Sequence, residues 1–242
     1  MPIHKCYIGT SGWNYNHWKE VFYPKGLPSS EWLEFYARQF DTVEINYSFY
    51  RLPEYKTFEK WCDEVPENFI FAVKASRYLT HQKKLKDAKE PLENIISHTR
   101  GLGDKLGPIL YQLPPHWHVN TSRLREFLSI LPLDIRHVME FRDPTWLTDE
   151  MFDLLREHKV GYCIMSAPDL PRVMEVTASF AYIRMHNGGY VTEGNYEEPQ
   201  LEWWADQIRS FMRNVDVYVY FNNDYKGFAI QNARRLIDMI EK

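Results

Sequence analysis

Two carboxylates, Glu44 and Glu140, stand where a protein would place groups that move protons. Each sits near the end of a β-branched or aromatic run, Thr42-Val43-Glu44-Ile45-Asn46 and Val138-Met139-Glu140-Phe141. A pair of this kind serves as general acid and base when burial and neighbouring charges drive the two pKa values apart. Glycosidases use such a pair too, at a separation that sequence does not state. Lys74, Gln112, Arg142, Arg184, His186 and Asn222 occupy comparable positions in other runs. The arginine fork grips phosphate or carboxylate at two points, and Lys74 adds a compact charge. His186, two residues beyond Arg184, suits proton transfer near neutral pH, although a histidine at a strand end is also an ordinary hydrogen-bonded residue.

Eight short runs carry these residues: Cys6 to Gly9, Thr42 to Asn46, Phe69 to Lys74, Ile109 to Leu113, Val138 to Phe141, Tyr162 to Ser166, Ala181 to Met185 and Val217 to Phe221. Most are separated by apolar residues at helical spacing, such as Leu33, Tyr36, Ala37 and Phe40, or Leu201, Trp204, Ile208 and Phe211. Eight alternations in one chain predict an α/β fold of the TIM type, a (β/α)8 barrel, as a single domain over residues 1–242. The sixth helix should be short or missing, because Ala167 to Ser179 contains Pro168 and Pro171 and little periodicity.

Side chains two apart share a strand face. One parity collects Val43, Ile45, Phe71, Val73, Ile109, Tyr111, Ile183 and Met185, suited to pack under helices. The other collects Glu44, Asn46, Lys74, Gln112, Glu140, Arg142, Arg184, His186 and Asn222 near the C-terminal strand ends, where barrels carry their active sites. The connection Thr10 to Ser29, with Trp13, Tyr15, His17, Trp18, Phe22 and Tyr23, has the length of a lid or binding loop. Trp13 and Tyr50 belong to a set of rim aromatics that can stack a sugar or a nucleobase. Lys83, Lys84, Lys86 and Lys89 form a basic run that a solvated surface explains by itself.

Composition narrows the classes. In 242 residues, 33 acidic side chains against 29 basic ones give a net charge of -4, so the surface as a whole is not a nucleic-acid track. Three cysteines without a C-x-x-C pair make neither a disulfide framework nor a zinc knuckle. The opening Met1-Pro2-Ile3-His4-Lys5 lacks an apolar leader, and no apolar run is long enough to span a bilayer, so a cytoplasmic location is expected.

The segments Gly9-Thr10-Ser11-Gly12-Trp13, Ser48-Phe49-Tyr50-Arg51-Leu52-Pro53, Phe71-Ala72-Val73-Lys74, Gln112-Leu113-Pro114-Pro115, Glu140-Phe141-Arg142, Arg184-Met185-His186 and Tyr220-Phe221-Asn222-Asn223 occur in this order. Together with Thr42 to Asn46 and Thr80-His81 they resemble the YecE-like family, domain of unknown function 72. The resemblance runs nearly end to end and implies a TIM-type barrel of prokaryotic, cytoplasmic origin with no established reaction. Two positions depart from that pattern: Asp143 where the family often has His, and Asn187 where Gly is usual.

The inward set is cationic, and a bound anion would explain the surplus. The leading expectation is therefore an enzyme, a hydrolase, lyase or isomerase, that holds a small anionic substrate, phosphate-bearing or carbohydrate-like. Lys74, Arg142 and Arg184 form the clamp, Gln112 and Asn222 orient, Trp13 and Tyr50 line the site, and Glu44, Glu140 and His186 move protons. On this reading Arg184 faces a ligand, and replacing it by Met should be nearly neutral. No cofactor or metal is expected, since the candidate ligands sit among fixed cations and lack metal-binding spacing. Two alternatives stand beside it: a nucleic-acid-binding or repair-associated protein that accepts an unpaired nucleotide, and a non-catalytic barrel whose inward charges pair with one another.

Overall fold

The structure is a computed structural model that describes residues 4–241, so Met1-Pro2-Ile3 of the leader reading lies outside it. The eight runs form β1 (Cys6–Thr10), β2 (Thr42–Ile45), β3 (Ile70–Lys74), β4 (Leu106–Gln112), β5 (His137–Glu140), β6 (Gly161–Ser166), β7 (Phe180–Met185) and β8 (Asp216–Phe221). All pairs are parallel, in the order β1-β8-β7-β6-β5-β4-β3-β2. Strand β4 starts earlier than expected, at Leu106-Gly107-Pro108. A Cβ on Gly107 would lie 2.5 Å from the Ile70 side chain, so only glycine lets β4 approach β3 here.

The two ends of this order, β1 and β2, close most of the barrel. A Cβ on Gly9 would lie 2.2 Å from the Thr42 carbonyl oxygen, so glycine again permits the approach. The hydroxyl of Tyr36 accepts from the Thr10 amide (2.9 Å) and donates to the Thr42 carbonyl (3.1 Å). A side chain thus satisfies backbone groups that a ladder would otherwise pair. Beyond it, a single bridge joins Ser11 to Glu44.

The helices are α1 (Trp32–Ala37), α2 (Tyr47–Tyr50), α3 (Tyr55–Asp63), α4 (Lys89–Thr99), α5 (Thr121–Leu128), α6 (Asp149–Glu157), α7 (Glu198–Phe211) and α8 (Phe228–Ile240). Among the described residues none forms between β6 and β7, as Pro168 and Pro171 predict. Thr177 anchors that stretch instead, its hydroxyl accepting from the Tyr162 amide and donating to the Val160 carbonyl at 2.7 Å each. Helix α6 was not among the periodic segments singled out. It is capped by the Thr148 side chain, carries Asp149 and Glu150 in its first turn, and buries Met151, Phe152, Leu154 and Leu155.

The outward parity packs under the helices: Val43, Ile45, Phe71, Val73, Ile109, Tyr111, Ile183 and Met185 share one core. Each fully buried side chain of this kind contributes about 1.5–3 kcal/mol. A second cluster fills the barrel interior with Ala72, Leu110, Val138, Cys163, Met165, Phe180, Tyr182, Tyr218 and Tyr220. This packed floor holds the charged residues above it. The Thr10 to Ser29 connection departs from the lid expectation, because Trp18, Phe22 and Tyr23 are buried and Tyr23 stacks on Trp32 at 4.6 Å. No helix among the described residues is long and apolar enough to cross a membrane.

Candidate functional site at the barrel mouth

Strand register assembles the lower part of the site. Gln112 and Glu140 are register partners across β4 and β5, and Arg184 stands two residues beyond Tyr182 on the inward face of β7. Glu44 accepts on Oε1 from Ser11 Oγ (2.8 Å) and Arg184 Nη2 (2.8 Å), and on Oε2 from the Tyr182 hydroxyl (2.6 Å). Glu140 accepts on Oε2 from Arg184 Nη1 (2.7 Å), and on Oε1 from Gln112 Nε2 (2.6 Å) and Arg142 Nη1 (3.3 Å). Glu44, Glu140 and Arg184 are each 0% exposed.

Charges taken out of water survive only when paired with good geometry, and here one guanidinium bridges two carboxylates. Burial alone pushes the Glu140 carboxyl up, but Arg184, His186 and Arg142 outweigh it and hold it well below the usual carboxylate range. Glu140 is therefore ionised at neutral pH. Burial likewise opposes the charge on Arg184, and the two glutamates restore it. This placement departs from the clamp reading of Arg184, since both terminal nitrogens of its fork are already bound to Glu44 and Glu140. Its Nε is buried with no partner.

The upper layer is different in kind. Lys74, at the end of β3, is almost buried, and its Nζ lies 4.2 Å from the centre of the Phe49 ring. Among the described residues no oxygen accepts from it and no carboxylate pairs with it, because Arg184 holds both glutamates. Burial and the nearby Arg184 lower its pKa to about 8. Arg142 reaches toward solvent with 31% of its side chain exposed. His186 Nδ1 lies 3.0 Å from Asn222 Nδ2, and its Nε2 lies 3.2 Å from Arg184 Nη1 and 3.6 Å from Glu140 Oε1. Burial and then Arg184 push the His186 pKa down, so the ring is neutral at pH 7.

Beside this layer, Trp13, Tyr15, Tyr47, Tyr50 and Trp61 line a cavity of about 630 Å³ together with Asn46. Trp13 meets Trp61 edge to face at 5.0 Å, and Tyr50 is largely exposed. Asn46 connects the cavity to the mouth, donating to Asn222 Oδ1 at 3.4 Å, while its own Oδ1 is buried without a donor. In the basic run, Lys83 faces the Tyr78 ring and Asp87, and Lys84 the Trp117 ring.

Sequence reasoning brought Glu44, Lys74, Gln112, Glu140, Arg142, Arg184, His186 and Asn222 to one end of the barrel, where the structure assembles them. It missed Ser11 and Tyr182 as partners of Glu44. The two-residue alternation that picked out Arg184 also points to Tyr182, one step down the same face. No group of three or more His, Cys, Asp or Glu gathers among the described residues as a metal would need.

A family model described as protein of unknown function DUF72 matches residues 7–242. The chain is 27% identical over 270 residues to the UPF0759 protein YunF of Bacillus subtilis strain 168, covering 97% of this chain and 94% of that one. Among solved structures, a DUF72 family protein from Thermotoga maritima MSB8 superposes with a TM-score of 0.86 at 30% identity, over 99% of this chain and 100% of its own. A second, from Enterococcus faecalis V583, gives 0.84 at 18% identity, over 98% and 96%. The whole length of the match, with the barrel and its strand-end residues, places this chain in the DUF72 family.

Proposed function

We propose that the protein is an enzyme that binds a small anionic substrate at the barrel mouth. One observation carries this reading: Lys74 is a buried cation with no counter-ion, beside a half-buried Arg142 and above an arginine already neutralised. A protein gains nothing in stability from such an arrangement, and an arriving phosphate or carboxylate would supply the missing charge. Lys74 and Arg142 form the clamp, Gln112 and Asn222 orient, and Trp13 and Tyr50 contact the remainder of a phosphate-bearing or carbohydrate-like molecule. Glu140 and His186, in contact with each other and with the mouth, handle protons in a hydrolase, lyase or isomerase step. Glu44 and Arg184 hold that pair in place.

Thermal unfolding with added phosphate, sulfate, sugar phosphates and small carboxylates tests the reading. Binding to the folded state alone raises the melting temperature, by about 2.7 kcal/mol of stability at a hundredfold excess over Kd. If every anion leaves the midpoint unmoved, the clamp is wrong. The aromatic cavity beside the cationic mouth supports a second reading, capture of an unpaired nucleotide. That reading prevails if oligonucleotides alone raise the midpoint and the effect falls steeply with salt.

A further inference from the structure

We propose that the Lys74 amine is a nucleophile that captures a carbonyl compound as an imine in the barrel mouth. The inference rests on the mouth being a binding site and names the chemistry of the group bound there, an aldehyde or ketone.

The geometry separates Lys74 from a structural lysine. An ammonium has three protons to give and a full charge to neutralise. Two carboxylates lie in the same part of the barrel, yet both are held by Arg184, at 2.8 and 2.7 Å. Lys74 is left against the face of Phe49 with no acceptor. Unlike Arg184 Nε and Asn46 Oδ1, which are sealed from solvent without a partner, the Lys74 amine is not fully enclosed. An amine that is mostly desolvated, set beside other cations and free of a carboxylate is the usual arrangement for a lysine that attacks carbonyl carbon.

The groups that set its protonation face it from several elements. Arg184 on β7 and Arg142 beyond β5 disfavour the ammonium, as does burial, while Glu140 on β5 and Glu44 on β2 favour it. Phe49 on α2 adds a cation–π contact, and His81, in the turn after β3, lies 5.0 Å from the same ring. The balance leaves Lys74 near 8, where half of it is free amine at pH 8. A lysine at its ordinary value of ~10.4 is under about 1% free amine there.

The step balances without an outside redox partner. The nitrogen lone pair forms the C–N bond as the carbonyl π pair moves to oxygen. A proton passes from nitrogen to that oxygen, giving a carbinolamine. The remaining proton on nitrogen passes to the hydroxyl, which leaves as water while the nitrogen pair closes the C=N bond, giving the neutral imine. Arg142 is placed to hold an anionic group on the same molecule, and the His186–Glu140 pair to relay the proton.

The test uses the intact protein with D-glyceraldehyde, which is uncharged, and sodium cyanoborohydride, whose hydride reduces an iminium to a stable secondary amine. Peptide mapping by mass spectrometry then locates the adduct. Lys74 should be modified at pH 8 at least about tenfold faster than the exposed Lys84 and Lys89, with a rate that rises through pH 8. Modification of Lys84 and Lys89 with Lys74 untouched overturns the inference, as does modification of all three at equal rates. An uncharged probe keeps the two ideas apart: anions that stabilise a protein whose Lys74 stays unmodified leave the clamp and remove the imine, and the reverse pattern removes the clamp.

Discussion

Glu44 and Glu140 are equally buried and share one arginine, yet they belong to different halves of the site. The remaining partners of Glu44, Ser11 and Tyr182, are themselves buried, so both its oxygens accept only from buried donors. The partners of Glu140, namely Gln112, Arg142 and His186, all reach the mouth. The lower half is therefore a closed charge network that rests on the barrel floor. The upper half has more positive charge than it can pair. Stability and function divide along this line, and substitutions on either side should behave differently.

The largest effect belongs to the shared arginine. Arg184→Met strands two buried carboxylates and should cost about 3–5 kcal/mol, read as a lower denaturant midpoint at unchanged slope. This reverses the near-neutral outcome expected from sequence, because both terminal nitrogens of the fork lie on glutamates. A near-neutral result would move Arg184 back to the ligand side. Tyr182→Phe removes one donor from a buried carboxylate and should cost about 1–3 kcal/mol while leaving anion binding intact. Loss of anion binding in that variant would erase the division between the halves.

Across the line the pattern should invert. Arg142→Met removes a partly exposed partner from Glu140, which keeps Arg184 and Gln112, and should change stability by under about 1 kcal/mol, yet abolish most anion-induced stabilisation. An undiminished response would exclude Arg142 from the clamp. The smallest effect is a pH dependence. The folded-state pKa of Lys74, about 8, lies below its ordinary 10.5, so the native side chain gives up its proton first as pH rises. Sulfate, which does not titrate here, should stabilise the protein at pH 7 and progressively less through pH 8 to 9.5. A flat response would show that Lys74 is not the charge the anion meets.

Much of this is legible in the sequence. The two-residue alternation that separates Val43 and Ile45 from Glu44 and Asn46 is the alternation of outward and inward faces, and it holds around the barrel because each strand carries it locally. Pro168 and Pro171 exclude a helix between β6 and β7 by backbone chemistry alone. What sequence left open were distances across the barrel. Arg184 and Glu44 are 140 residues apart, and nothing local says that they meet at 2.8 Å. Trp18 and Tyr23 misled because an aromatic loop reads alike whether it covers a ligand or packs on a helix. Strand β4 starts before Ile109 because Gly107 lets it approach β3, a neighbour that nothing in the local sequence announces.

The claim that the mouth is built for a ligand rests most directly on Lys74, and Lys74→Met tests it in one denaturant titration run with and without sulfate at pH 7. Removing a buried cation that has no partner should leave the ligand-free protein unchanged or more stable by about 0.5–2 kcal/mol, while the stabilisation by sulfate disappears. A ligand-free variant that loses several kcal/mol, or one that sulfate stabilises as much as the parent, would show that Lys74 is part of the scaffold and would contradict the account.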